Sequence, residues 1–458
     1  MKVLFLNPEQ YVDFENEPSN YQVRLLALNS GAVTEHRDFV YQRIFREAGA
    51  EAMNRATLEA CQDFEPDIVI NSLCWWQECI SWQTLAKMRE AGSKVISIYW
   101  DTWINALPHE TEIFLNSDHI LIMDSLSSYF KYRLLAEQHQ DFNKIIFSPI
   151  TVFTDTIKPA EVEKDIDVLM LGSNEGQRAD LAAFLTEELS AKGINFQRIG
   201  GLVDDASDTK NDAGNWIDWQ QYAATINRAK ICLSSQTQPD RLQIKGKIFD
   251  FLACGTFCLT DNNPELRTFI PDNCLAYYDN QEDCLTQIVS HLENEDGRNE
   301  IARAGRQWIQ DTYDYKDFWQ NILVVTLGTQ DQLAQLPGIE DAYQNFKDNQ
   351  DIVVRLQSAV INQLSQLVNS GRRINRLPVR AEGSYQGFNI LSVDERYTIV
   401  CDHLDIDFIE IDGELFAVTP ESGLTKLVEQ EVTMGPQSRI IQLNSVEQAK
   451  QAIDIITG

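Results

Sequence analysis

The stretch Arg241-Leu242-Gln243-Ile244-Lys245-Gly246-Lys247-Ile248-Phe249-Asp250-Phe251-Leu252-Ala253-Cys254-Gly255 gathers the residue types that bind a phosphorylated ligand. Apolar residues at 248, 249, 251 and 252 give it one buried helical face, and Gly255 is placed to stop the helix and release an apolar strand over 256–260. A helix amino end carries partial positive charge and favours acids. Here Arg241, Lys245 and Lys247 crowd the first turn instead, each opposed by the helix dipole at about 0.3 to 1 kcal/mol. A docked anion removes that conflict. Asp250, one turn on, either pairs with Lys247 at i,i+3 as a surface ion pair or accepts from ligand hydroxyls. One element can thus offer cations to a diphosphate and a carboxylate to a ribose.

A second candidate is the turn Leu171-Gly172-Ser173-Asn174-Glu175-Gly176-Gln177-Arg178, between a strand and a helix. Gly172 and Ser173 let backbone N–H groups approach a phosphate at the helix amino end. Arg178 there is either a phosphate contact or a solvated cation balanced by Glu175 or Asp180. The turn is not a full dinucleotide fingerprint. In the first half of the chain, the strand over 94–100 ends in Asp101, which sets an acid where the carboxyl edge of a parallel strand meets a ligand crevice. Asp101 is a candidate catalytic base or a helix-capping aspartate. His109, eight residues on, is a second catalytic candidate, whereas His36 and Arg37 read as part of the first helical segment. The Trp75-Trp76 pair, Trp100 and Trp103 either stack on a sugar acceptor or fill the core.

The elements that must position these residues alternate. Short apolar runs predict strands over 3–6, 67–71, 94–99, 119–123 and 144–148, separated by amphipathic stretches such as 82–91. Residues 148–159 lose periodicity between two prolines and read as a linker. The rhythm restarts with strands over 167–172, 195–199, 230–234, 256–260 and 274–278, followed by helices over 281–294, 297–312 and 315–326. Tyr313, Tyr315, Phe318 and Trp319 equip the last helix to dock on another domain. Strand–helix alternation of this kind demands parallel sheets covered by helices, so the fold class is α/β. Beyond about 330 the character changes to α+β, with Asp412-Gly413 between alternating runs as a hairpin signal. The boundaries expected are 1–157 and 158–326 for two Rossmann-like domains and 327–458 for an accessory tail.

With 458 residues, the chain is long enough for two or three domains with cores of their own. Its 38 basic against 69 acidic residues leave a formal charge of -31, which repels nucleic acid and anionic membrane surfaces, so neither is expected as a partner. So much acid also serves solubility or a salty interior. The opening run Met1–Pro8 is too short for a signal peptide core and reads as a strand, and no window reaches the roughly 18 to 20 apolar residues of a membrane span. Nine cysteines, scattered in apolar segments without two-residue spacing, suit reduced core thiols in a cytoplasm; no metal site and no cofactor are expected.

The run Lys245 to Asp261, taken with Gly172-Ser173, Arg178 and Ile301-Ala302-Arg303-Ala304-Gly305, resembles the CgeB-like branch of the group 1 glycosyltransferases. The similarity is best over about 165–325, looser over 1–157 and absent in the tail. It implies a GT-B fold, two Rossmann-like parallel-sheet domains facing across a cleft, here with a small C-terminal α+β appendage. It further implies a donor site in the second domain, with a carboxylate at the Asp250 position on the ribose hydroxyls and the nearby cations on the diphosphate. Two departures stand out. The family's usual Glu is shortened to Asp250, and an acid found eight residues earlier in many members is Leu242. The loop Asp261-Asn262-Asn263-Pro264-Glu265 resembles the family's Gly-Gly-x-Pro-Glu turn with asparagine for both glycines, which left-handed backbone angles at Asn262 and Asn263 would accommodate. Asn262, Asn263 and Glu265 thereby join the candidate donor contacts. The activity implied is metal-independent transfer of a sugar from a nucleotide-sugar to a glycan, protein or small-molecule acceptor. A catalytically silent binding protein for a nucleotide-sugar, glycan or protein, which the missing acid at Leu242 favours, and a sugar-nucleotide epimerase are the alternatives.

Overall fold

The structure is a computed structural model that describes residues 1–8, 22–73, 79–99, 108–123, 125–138, 144–172, 176–200, 219–237, 243–328, 338–348, 374–377, 379–386, 388–394, 396–401, 407–419, 423–427 and 440–457. Asp101, Ser173, Arg241 and Leu242 lie outside the described residues, as do Cys74, the tryptophans at 75, 76, 100 and 103, and all of 349–373.

The first sheet comprises β1 (Lys2–Asn7), β2 (Glu35–Val40), β3 (Ile68–Ser72), β4 (Lys94–Tyr99), β5 (His119–Ile122) and β6 (Ile145–Phe147). They run parallel in the order β2-β1-β3-β4-β5-β6. Helices α1 (Gln22–Asn29), α2 (Tyr41–Phe64), α3 (Trp82–Glu90), α4 (Pro108–Leu115) and α5 (Leu126–Gln138) connect them. Val3, Leu4, Ile68, Val69, Val95 and Ile96 are fully buried, the near-continuous apolar run of strands covered on both faces. β2 corrects the sequence reading of His36 and Arg37 as helical. Its residues Glu-His-Arg-Asp-Phe-Val lack an apolar run because the strand sits at the sheet edge, where one side is solvated. His36 packs edge-on against Phe5, and Asp38 receives Arg24 Nε at 2.8 Å.

The second sheet comprises β7 (Ile166–Leu171), β8 (Phe196–Ile199), β9 (Ala229–Ser234), β10 (Phe257–Asp261) and β11 (Ala276–Tyr278), parallel in the order β11-β10-β9-β7-β8. Its helices are α6 (Gly176–Ala191), α7 (Trp219–Arg228), α8 (Gly246–Ala253), the single turn α9 (Pro264–Arg267), α10 (Gln281–Glu293) and α11 (Glu295–Thr312). All five strands foreseen in this half form within two residues of their expected bounds. Asn280 and Asn294 cap α10 and α11 by accepting from the backbone N–H of Asp283 and Gly297.

Helices α12 (Tyr315–Thr326) and α13 (Ile339–Asp348) return to the first half of the chain. As the aromatic content foretold, α12 docks there: the Tyr315 hydroxyl donates to Asp155 Oδ2 at 2.6 Å, its ring meets Phe153 edge-on, and Thr326 Oγ1 lies 3.1 Å from His119 Nδ1. On α13, Glu340 accepts from Arg133 at 2.6 Å, and the Arg133 guanidinium lies over the Tyr343 ring. One continuous apolar core therefore runs from Val3 through Phe249 to Trp319 and Tyr343.

The tail builds two antiparallel sheets. One orders β12 (Ile374–Arg376), β16 (Asp407–Ile411), β17 (Glu414–Thr419) and β18 (Gly423–Lys426) as β12-β16-β17-β18; the other orders β13 (Val379–Tyr385), β14 (Phe388–Val393), β15 (Tyr397–Cys401) and β19 (Ile440–Leu443) as β13-β14-β15-β19. Leu391, Val393 and Ile399 of the second meet Phe408 and Leu415 of the first, and α14 (Val446–Thr457) covers Ile390 and Val400 on the far face. Asp412 (φ 49°) and Gly413 (φ 89°) turn β16 into β17 with both residues left-handed, as the Asp-Gly signal implied.

Among the described residues, no helix is long and apolar enough to cross a membrane. Cys61, Cys232, Cys254, Cys258, Cys274 and Cys284 are buried free thiols.

Candidate functional site

In the second sheet the chain passes from β7 to β8 on one side, then returns to place β9 on the other. The carboxyl ends of β7 and β9 thus diverge at the position where open parallel sheets bind ligands. β7 ends at Leu171 and Gly172, β9 at Ser234, and the amino ends of α6 and α8 stand above them.

Gly172 has φ +121°, an angle that favours glycine, and its N–H donates to Ile199 O at 3.0 Å. A Cβ on this residue would lie 2.8 Å from Lys247 Nζ and 2.9 Å from Arg178 Nη1. Two cationic nitrogens from different helices therefore converge on one bare stretch of backbone. Arg178, on the first turn of α6, is only 5% exposed, and its Nε and Nη2 donate to Ser235 O at 3.2 and 2.8 Å. Lys247, on the first turn of α8, donates to Leu171 O. Lys245 is the residue that precedes α8 and donates to Gln243 Oε1. Burial, then the charges of Arg178 and Lys245, push the Lys247 ammonium well below its usual pKa, and the opposing pull of the Asp261 carboxylate is smaller than either.

Asp250 departs from the surface ion pair that its spacing allowed. It makes no pair with Lys247. Its carboxylate, 3% exposed, points into the protein, where the Tyr222 hydroxyl of α7 donates to Oδ2 at 2.9 Å and Oδ1 has no partner. Burial lifts its pKa to about 7, against the lowering effect of the Tyr222 bond.

The loop after β10 also differs from expectation. Neither Asn262 nor Asn263 takes a left-handed angle; Asn263 has φ -100° and caps α9 through Oδ1, which accepts from the Glu265 N–H at 2.9 Å. Asparagine serves here for its capping side chain rather than for glycine-like freedom. Asn263 Nδ2 donates to Gln243 O at 3.2 Å, and Asn262 Nδ2 donates to Asp279 Oδ1 at 2.8 Å. Glu265, a candidate donor contact, receives the Leu126 N–H of the first domain on Oε2 at 2.7 Å. His109 lies on the first turn of α4, and the other catalytic candidate, Asp101, falls outside the described residues.

Gln236, Gln243 and Asp261 also line this region without having stood out as candidates by residue type or spacing. Gln236, 2% exposed, donates through Nε2 to Gln243 O at 2.7 Å and accepts on Oε1 from Gln243 N at 3.1 Å, fixing the segment that leads into α8. Asp261 ends β10 and accepts from Thr260 Oγ1 at 3.1 Å; burial raises its pKa, opposed first by the Thr260 bond and less by Lys245 and Gln236. Uncharged glutamines carry no spacing signal, but Asp261 at a strand's carboxyl end could have been found as Asp101 was.

Residues 177–324, which include Arg178, Lys245, Lys247 and most of the second sheet, match the model of a glycosyl transferase-like family. No curated protein matches the chain. Among solved structures, the chain is similar to sucrose-phosphate synthase from Thermosynechococcus elongatus at 10% identity and a TM-score of 0.50, covering 71% of this chain and 98% of that one. It is similar too to a glycosyltransferase from Rickettsia africae at 11% identity and a TM-score of 0.46, over 72% of this chain and 98% of that one. HepE of Anabaena in complex with UDP and glucose aligns at 10% identity and a TM-score of 0.45, over 72% and 100% of the two chains. Identities this low speak to the fold alone: two Rossmann-like domains in the GT-B arrangement.

Proposed function

We propose that the protein is a glycosyltransferase of the group 1 type, in its CgeB-like branch, that takes its sugar from a nucleotide-sugar whose diphosphate rests on Arg178, Lys245 and Lys247. The observation that carries this reading is the convergence of Lys247 Nζ and Arg178 Nη1 on Gly172. Like charges held together at the carboxyl edge of a sheet are unfavourable until an anion joins them, and burial first, then the charges of Arg178 and Lys245, lower the Lys247 pKa. The family match over 177–324 supports the same reading.

In transfer, negative charge builds on the departing diphosphate. Fixed cations and the amino ends of α6 and α8 stabilise that charge without reorganising, and so lower the barrier. Arg178 is prepared for this by its two bonds to Ser235 O. Asp101 is proposed as the base that takes the acceptor's proton, with His109 as the alternative. Metal independence belongs to the proposal: turnover persists after exhaustive dialysis against chelator, and activity recovered only with added magnesium or manganese would reject it.

The test is a thermal-shift and calorimetric screen of UDP, GDP and ADP with their sugars. Lys247→Ala and Arg178→Ala are each expected to weaken binding about 10- to 100-fold, the worth of one charge-assisted bond to phosphate. Unchanged affinity in folded variants would remove the pocket from the reaction. Stabilisation without turnover for any donor would make the protein a binding module.

A further inference from the structure

Glu265 belongs to the loop resembled by a donor-binding turn, yet its carboxylate crosses to the other domain. There, the first turn of α5 has N–H groups with no partner inside the helix. Ser125 Oγ accepts from the Ser128 N–H at 3.2 Å, and Glu265 Oε2 accepts from the Leu126 N–H at 2.7 Å. Among the described residues, α5 thus has a local capping acceptor and one from 139 residues away. Phe269, just beyond α9, stands 6.1 Å from Phe147 of β6 and 6.3 Å from Phe249 of α8 by ring centroids. This short segment therefore touches both domains through a polar and an apolar contact.

It also connects to Lys245 at the head of α8. Lys245 donates to Gln243 Oε1; Gln243 O accepts from Asn263 Nδ2; Asn263 Oδ1 accepts from the Glu265 N–H; and Glu265 accepts from α5. Gln243 and Asn263 are 6% and 0% exposed, so water competes little for these bonds. We infer that Glu265 is a positioning residue: it holds the first domain against the donor pocket by capping α5, and it acts on transfer through that contact rather than by touching the donor. The inference rests on the glycosyltransferase reading for its effect on turnover and on the fold alone for its effect on domain arrangement.

The test uses the full chain with Glu265→Ala, Glu265→Gln and Leu126→Pro. Glutamine keeps an oxygen that can accept from Leu126. Proline removes the N–H itself at the first helical position, where it is tolerated. Three measurements are made: small-angle scattering, affinity for UDP, GDP and ADP, and kcat and KM for nucleotide-sugar hydrolysis or transfer. Glu265→Ala and Leu126→Pro are expected to broaden the interdomain distance distribution and lower kcat about tenfold or more, with nucleotide affinity and KM within about twofold of the parent; Glu265→Gln recovers most of the loss. Nucleotide affinity falling more than about fivefold in Glu265→Ala would put this side chain on the ligand and overturn the inference. Scattering and kcat both unchanged in Leu126→Pro would overturn it as well. If the parent binds no nucleotide, the donor-site reading fails, while the scattering still decides whether Glu265 holds the domains.

Discussion

At Gly172, a missing side chain matters as much as the two cations beside it. The space over Gly172 that a methyl group would fill is bounded by Lys247 Nζ and Arg178 Nη1, and φ +121° strains any other residue. Gly172→Ala is therefore expected to displace both cations, weakening nucleotide binding at least about tenfold, and to cost about 1–3 kcal/mol of stability from the backbone angle. Parallel calorimetry and urea unfolding would show whether affinity and stability fall together. Asp250 supports a different prediction. Its folded pKa of about 7 exceeds the ordinary value of 3.8, so the folded state holds the extra proton between those limits. This contribution to stability is full below about pH 4 and is lost as pH rises through 7. Comparing urea unfolding at pH 4.5 and 7.5, Asp250→Asn should lose that part of the slope, and equal slopes in parent and variant would contradict the burial described for this carboxylate. The lysines at 245 and 247 stand out in the sequence because their position contradicts the helix dipole. The burial of Asp250 was not, because its cover comes from Tyr222 on a helix 28 residues away, which no local pattern reports.

Among the elements, α8 and α11 show how a motif glycine can serve packing. Gly305, read from the sequence as part of a glycosyltransferase signature, lies where an added Cβ would come 2.5 Å from Cys274 O and 2.7 Å from Leu252 Cδ2. It lets α11 approach α8 and so fixes the helix that carries Lys247. Gly305→Ala is expected to destabilise the protein by about 1–3 kcal/mol, with nucleotide affinity reduced only as far as α8 shifts. A midpoint unchanged in urea would show that the helices accommodate the methyl group. Central strands were readable throughout, since burial on both faces leaves them almost wholly apolar, and Gly255, left-handed at φ +66°, ends α8 as its place in the sequence required. β2 was missed for the converse reason: an edge strand with four polar residues in six resembles a solvated helix turn. The asparagine loop before α9 was located correctly but misread in geometry, because Asn both tolerates left-handed angles and caps helices, and only the structure selects between them.

On the scale of the whole chain, one apolar cluster runs from β1 to α13 and a second packs the other face of the second sheet under α6 and α10, while the tail has separate clusters between its two sheets and under α14. Differential scanning calorimetry is therefore expected to resolve two transitions, one for the first 348 residues and one for the tail. Deletion of residues 374–458 should abolish only the second. A single transition lost on that deletion would mean that the tail completes the main core. The two-sheet plan was legible from alternation alone, whereas the joint made by α12 and α13 was legible only as an excess of aromatics, since their partners, Asp155, His119 and Arg133, are far off in sequence.

The sulfur atoms at 232, 254, 258, 274 and 284 are all sealed within β9, α8, β10 and their immediate surroundings. An alkylating reagent can reach them only when those elements come apart, so their rate of modification is a clock for breathing of the cation pocket's scaffold. A ligand that bridges α6 and α8 would slow that clock, which gives the protein a built-in gauge of occupancy that needs neither an acceptor nor a catalytic assay.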